Sequence, residues 1–326
     1  MPENSRVIKA AGVVGAATLL SRILGFVRDA VIAWFFGAGF SSDAFIAAFR
    51  IPNLFRRLFA EGSLSAAFIP VFTEYVVNND QDEAFSLARS AFRLLSIILI
   101  TATIGGILLS PWIVRLIAPG FDAEKISLTV TLTRLMFPYF FCIGLLALCM
   151  GILNVLGHFA APALAPVILN LTIIGSVLFI SPTMKTPVIG LALGVLIGGV
   201  LQLALQLPIL VRKGFRFWEK ARLTHPQLKK VGISIIPMTV GGAVYQINII
   251  VGTLLATLLV EGSVTYLYFA DRLIQFPLGI FAIAAATAVL PSLCRQAAIR
   301  EFDELRKTFA QALKLVFFIS IPAMVG

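Results

Sequence analysis

The sequence predicts an all-α polytopic membrane protein, and three observations predict it. Apolar residues make up 59% of the 326 positions and charged residues only 13%. A soluble domain carries about 25% charged residues, so this chain has too little polar surface to cover a globule. Apolar runs of about 20 residues, the length a helix needs to cross a bilayer, recur in series. Lys and Arg gather in alternate loops, so the formal charge of +10 describes those loops rather than a nucleic-acid surface.

In chain order, two helices come first, over about Val7 to Gly37 and Ser42 to Tyr75, apolar but punctuated by charge. Charge-free runs follow at Leu94 to Val114, Leu135 to Gly157, Phe159 to Met184, Thr186 to Val211, Val231 to Val260 and Leu273 to Cys294. A last run, Leu315 to Gly326, is cut short, which makes nine expected spans with the ninth incomplete. A single such run can be a buried helix of a soluble protein; a series of them cannot.

Loop charge sets the expected orientation. With the N-terminus inside, cytoplasmic segments hold Arg6, Lys9, Arg89, Arg93, the stretch Arg212 to Lys230, and Arg295 to Lys307. The opposite loops hold little beyond Lys125 and Lys185. This asymmetry predicts a cytoplasmic N-terminus. The first apolar run meets Arg22 and Arg28 and has no small-residue cleavage site, so it does not read as a cleavable signal. Residues 212–230 divide an expected N-terminal lobe of six spans (1–211) from a partial second lobe (231–326). Phe215, Phe217 and Trp218 among the linker's basic residues suggest a segment lying at the membrane surface against anionic lipid. A faint internal echo supports two related lobes. A Gly-containing turn at Phe36 to Gly39 precedes a helix with Asp43 and Arg50, and Glu261-Gly262 precedes one with Asp271 and Arg272.

The chemistry concentrates in Phe49 to Phe72, where Arg50, Asn53, Arg56, Arg57 and Glu61 surround Pro52. Each Arg near the centre of a membrane helix costs about 2.5–3.5 kcal/mol on insertion scales, a cost tolerated where the charge faces a water-filled cavity. Arg22 and Asp29 are seven apart and share a face of the first helix, while Arg28 points about 100° away from Asp29. Asp43, Arg50 and Arg57 repeat every seven residues, and Arg57 to Glu61 forms an i,i+4 pair. Pro52 removes a backbone donor, so the helix is expected to kink or break near mid-span. Guanidinium groups in excess over carboxylates predict an anionic ligand, most simply phosphate.

Other chemistry lacks its parts. His158 and His225 stand apart, and Cys142, Cys149 and Cys294 lie in apolar stretches without CxxC spacing. No Walker loop, HExxH or Ser-His-Asp set is visible, so no metal or cofactor is expected and any coupling ion stays unassigned. Prolines in or beside the spans, with many glycines, suit a transporter that rocks between two states.

The stretches SRILGFVRDAVIAWFFGAG (21–39), SDAFIAAFRIPNLFRRLFAEGSLSAAFIPVF (42–72), APGF (118–121), FPY (137–139) and FADRLIQFPLGI (269–280) closely resemble the bacterial MurJ (MviN) lipid II flippases. That family belongs to the multidrug/oligosaccharidyl-lipid/polysaccharide exporter superfamily. The resemblance implies a two-lobed helical transporter, here with the second lobe truncated, that exports lipid II from the inner to the outer leaflet of the bacterial cytoplasmic membrane. In the family, arginines of a central cationic cavity engage the diphosphate and head group. By motif position these are Arg22, Arg28, Arg56 and Arg272, with Asp29 and Asp43 among the other polar residues. Asn53, one turn from Arg56, joins them on the bottom-up reading. Gln275 departs from members with an acid there, and family members carry further spans, so the chain as given is not expected to transport alone.

The expected partners are lipid II and membrane lipids, with no nucleic acid, and the expected state is a monomer without enzymatic activity. Membrane potential, worth about 2.3 kcal/mol per charge per 100 mV, or an ion gradient would drive it. Two alternatives stay open at this point: an exporter of drugs or of other polyprenyl-diphosphate-linked oligosaccharides, and a membrane enzyme acting on polyprenyl diphosphates.

Overall fold

A computed structural model describes residues 3–57, 64–78, 81–219, 225–277, 289–290, 292–294, 296–297, 299 and 301–325. The described residues are helical without strands, as expected, and they form two compact units, Met1–Thr265 and Tyr266–Gly326.

The first unit holds α1 (Glu3–Phe36), α2 (Phe40–Phe55), α3 (Leu64–Asn78), α4 (Gln81–Ile117), α5 (Ala123–Val155), α6 (Ala160–Gly175), α7 (Pro187–Arg212) and α8 (Pro226–Thr257). It ends in the first turn of α9 (Ser263–Pro277). The segment Ala160–Thr183 (α6 with its π-helical and 3-10 continuation), α4, α5 and α7 are each long and apolar enough to span a membrane. The protein is thus a multi-pass membrane protein.

The spans sort by burial. The apolar window of α5 is 78% buried and that of α4 only 28%, so α5 is the core post and α4 lies at the periphery of the described helices. The Asp122 side chain caps α5 by accepting from the Lys125 N–H at 2.7 Å. The helix ends where Gly157 turns left-handed at φ 73°. Close packing on α7 relies on glycine: a Cβ at Gly199 would lie 2.5 Å from the Tyr139 ring, and one at Gly198 would lie 2.7 Å from Leu169.

The structure refines three expectations. Where one span was expected over Ser42 to Tyr75, α2 ends three residues beyond Pro52, a π-helical turn follows at Arg56 and Arg57, and α3 starts at Leu64, with residues 58–63 outside the described ones. α4 begins thirteen residues before its uncharged run, since Ala84, Phe85, Leu87 and Ala88 are buried. Its charges are spent on the linker: Arg89 meets Glu219 at 2.6 Å, and Arg93 donates to the Glu219 carbonyl at 2.7 Å. The linker is correspondingly less of a membrane-surface segment than its aromatics suggest. Phe215 is fully buried edge-on to Phe85, Phe217 packs on Phe92, and Trp218 alone of the three is well exposed.

In the second unit the described helices are the rest of α9 and α10 (Phe302–Val325). Much of the expected span Leu273 to Cys294 lies outside the described residues.

Candidate functional site

The first constellation joins α1 to α6. The Arg28 Nε and Nη2 donate to Asp29 Oδ1 at 2.9 and 2.7 Å, and Nη1 donates to Asn170 Oδ1 at 3.0 Å. The amide nitrogen of Asn170 in turn donates to the Ser21 carbonyl at 2.9 Å. Arg28 and Asp29 are nearly buried, with side chains 12% and 11% exposed. Helical geometry alone turns these neighbours about 100° apart, but the long arginine stem curls back to form the pair. Arg22 sits half-buried on the same helix. Sequence reading missed Asn170. Its signal is a lone amide inside the otherwise apolar run of α6, where an unsatisfied amide would be costly.

The second constellation lies at the far end of α2. The Arg56 Nε donates to Asn53 Oδ1 at 3.0 Å, which orients the guanidinium from one turn back. The Arg57 guanidinium lies 5.8 Å from the centre of the Tyr245 ring on α8. The expected partner Glu61 lies outside the described residues.

Asp43 does not join these groups. It stands about 20 Å from Arg57 along the same helix, buried at 2% exposure. Its Oδ2 accepts the Gly262 N–H at 2.7 Å, and its Oδ1 accepts the Thr265 N–H at 2.9 Å and the Thr265 hydroxyl at 2.6 Å. An α2 carboxylate thus caps the start of α9, where the helix dipole favours an anion. Lys125, itself buried, lies 3.5 Å from Asp43 and 4.0 Å from Glu261, with its ammonium over the Phe40 and Phe121 rings. The two turns that echo each other in sequence therefore meet in space. The APGF turn closes the same end: the Gly120 N–H reaches the Thr257 hydroxyl at 3.3 Å, and a Cβ at Gly120 would fall 2.1 Å from the Thr257 carbonyl oxygen.

In the second unit, the Arg272 guanidinium stacks 5.1 Å from the Tyr268 ring centre and donates to Gln275 Oε1 at 3.4 Å. The Gln275 amide nitrogen donates to Asp271 Oδ2 at 2.6 Å. An amide can accept from one neighbour and donate to the other. A carboxylate in its place would repel Asp271 unless protonated.

Among the described residues no group of three or more His, Cys, Asp or Glu is placed to hold a metal ion. The guanidinium groups of Arg28 and Arg56 are held by amides and, for Arg28, a carboxylate, and guanidinium N–H groups in general can pair with the oxygens of an anion.

Comparison with known proteins gives the family. The profile of the family described as lipid II flippase MurJ matches residues 32–326. A probable lipid II flippase MurJ of Vibrio cholerae serotype O1 is 39% identical over 332 residues, covering 99% of this chain and 63% of the relative. The lipid II flippase MurJ of Burkholderia cenocepacia is 37% identical, covering 95% and 61%. A solved structure of lipid II flippase MurJ in an inward closed conformation superposes with a TM-score of 0.80 at 29% identity, covering 96% of this chain and 64% of that one. An inward-facing multidrug resistance MATE family transporter of the MOP superfamily shares the fold, with a TM-score of 0.73 at 19% identity. The chain spans a little over three fifths of the length of these MurJ relatives. The family profile covers most of the chain and the relatives align along nearly all of it, so this protein belongs to the lipid II flippase MurJ family.

Proposed function

We propose that this protein moves lipid II, a polyprenyl-diphosphate-linked glycopeptide, between the leaflets of the bacterial cytoplasmic membrane by alternating access. The observation that carries the reading is the charge of α1 and α2. From Arg22 to Arg57, α1, α2 and the π-helical turn after α2 bear five arginines, at positions 22, 28, 50, 56 and 57, and two aspartates. One of those, Asp43, is committed to the cap on α9. An excess of guanidinium on membrane helices suits a diphosphate, whose oxygens take paired N–H donors.

On this reading Arg22, Arg28, Asn53 and Arg56 bind the head group, while Asp29 positions Arg28. The lobes are 1–211 and 231 onward, joined by the linker, and the protein acts as a monomer with its N-terminus in the cytoplasm. The end closed by Asp43, Lys125 and Gly120 then faces outward. Those contacts must part before the head group leaves on that side. No covalent step is needed.

Native mass spectrometry of the purified protein with lipid II, a neutral polyprenol and a cationic dye tests the proposal. Lipid II is expected to stay bound and to be lost on Arg28→Ala with Arg56→Ala. Retention of the dye instead favours a drug exporter. Equal lipid II binding by parent and variant overturns the arginine assignment.

A further inference from the structure

We propose that Arg57 and Tyr245 form a sugar-binding subsite beside the diphosphate site, so that the protein reads the first carbohydrate ring of its lipid-linked substrate. This rests on the diphosphate reading above and deepens it. The pair was not prominent in sequence, where Arg57 reads as half of an internal ion pair with Glu61 and Tyr245 as one aromatic residue of an apolar span.

Three observations converge on the subsite. The Arg57 guanidinium sits over the Tyr245 ring at 5.8 Å, so one face of the aromatic carries a cation. Even so, Tyr245 is 51% exposed, which leaves much of a large amphipathic side chain uncovered inside a membrane protein. Asn248, one turn further along α8 on the same face, is exposed as well. An aromatic ring with a phenolic hydroxyl, an amide and a guanidinium on adjoining turns is a surface for a polyhydroxylated ring. The apolar C–H face of a pyranose stacks on the aromatic ring while its hydroxyl and acetamido groups meet the polar tips.

Position specifies which ring. Arg57 follows Arg56 directly, and Arg56 is held by Asn53 in the orientation assigned above to the diphosphate. The first sugar of a polyprenyl-diphosphate glycan is bonded to the distal phosphate. A phosphate on Arg56 therefore places that sugar within reach of the next side chain and of the α8 surface it touches. The backbone widens to a π-helical turn at Arg56 and Arg57. Lipid-facing aromatics elsewhere, such as Trp112 on α4, have no cation stacked on them among the described contacts and are ordinary lipid contacts.

The test measures the dissociation constants of undecaprenyl diphosphate and of the same diphosphate carrying N-acetylated sugar, on purified protein in nanodiscs. The parent is expected to prefer the glycosylated ligand. Tyr245→Leu and Arg57→Gln should each shrink that preference roughly five-fold, and Tyr245→Phe, which keeps the stacking face, should retain most of it. An unchanged preference in Tyr245→Leu overturns the subsite, as does an equal loss for both ligands. A parent that binds undecaprenyl diphosphate no better than undecaprenol overturns the diphosphate reading beneath it, a separate outcome.

Discussion

The carboxylate of Asp43 on α2 accepts the backbone N–H of Gly262 at 2.7 Å, tying the start of one helix to the start of another 219 residues later. It also accepts the Thr265 N–H and hydroxyl, so it satisfies backbone donors that the first turn of α9 leaves orphaned. Hydrogen bonds to a charged group are worth about 1.5–3 kcal/mol each. Replacing Asp43 with Ala is expected to raise the hydrogen-exchange rates of the Gly262 and Thr265 amides at least ten-fold. Unchanged rates by exchange mass spectrometry would show that the cap does not hold this end shut.

Gly120 closes the same end by absence of a side chain. A Cβ there would meet the carbonyl oxygen and Cα atoms of Thr257 and Leu258, which are backbone and cannot swing aside. Gly120→Ala is expected to cost about 1–3 kcal/mol, as overpacking does. A lowered thermal midpoint in detergent, with faster exchange at the end of α8, is the expected readout.

Arg28→Lys keeps the charge but not the fork. An ammonium has no planar set of N–H groups to span Asp29 and Asn170 at once, as the guanidinium does. Lipid II affinity is expected to fall about ten-fold or more. Asn170→Ala, which loosens only one arm, is expected to cost less. Titration of lipid II into both variants ranks them; equal affinities would deny that the fork matters.

Glu219 anchors the linker on α4 through a buried arginine. Glu219→Gln leaves Arg89, 9% exposed, without its carboxylate, while Glu219 itself is 36% exposed and partly screened. The expected loss is about 1–2 kcal/mol, below that of a fully buried pair. Trp218 adjoins the contact and is exposed, so its fluorescence should change as the linker loosens. A thermal midpoint and emission spectrum identical to the parent would count against this anchoring.

The candidate residues were visible in the sequence because arginine in an apolar helix is rare and expensive. By that cost the stretch around Arg50, Arg56 and Arg57 stands out, Arg28 and Arg272 add positive charge beyond their neighbouring aspartates, and Arg22 enters through the family resemblance. Pro52 lies just before the place where α2 gives way to a π-helical turn at Arg56 and Arg57. What misled was partner choice. Asp43 shares a heptad stripe with Arg50 and Arg57, yet its carboxylate serves backbone donors of α9. Lys125 read as a loop charge, yet it is boxed by two aromatic rings and Asp43.

The sequence by itself determined what depends on neighbours along the chain. That covers helical spans from apolar run length, membrane residence from the shortage of charge, and a family likeness carried by contiguous motifs. Only the tertiary structure decided which groups meet. Arg28 finds Asn170 across 142 residues and Asp43 finds Gly262 across 219. The Phe215 ring of the linker goes into the core rather than the membrane surface. Hydropathy is a property of a segment and can be summed locally. A hydrogen bond between two helices depends on the packing of every helix between them.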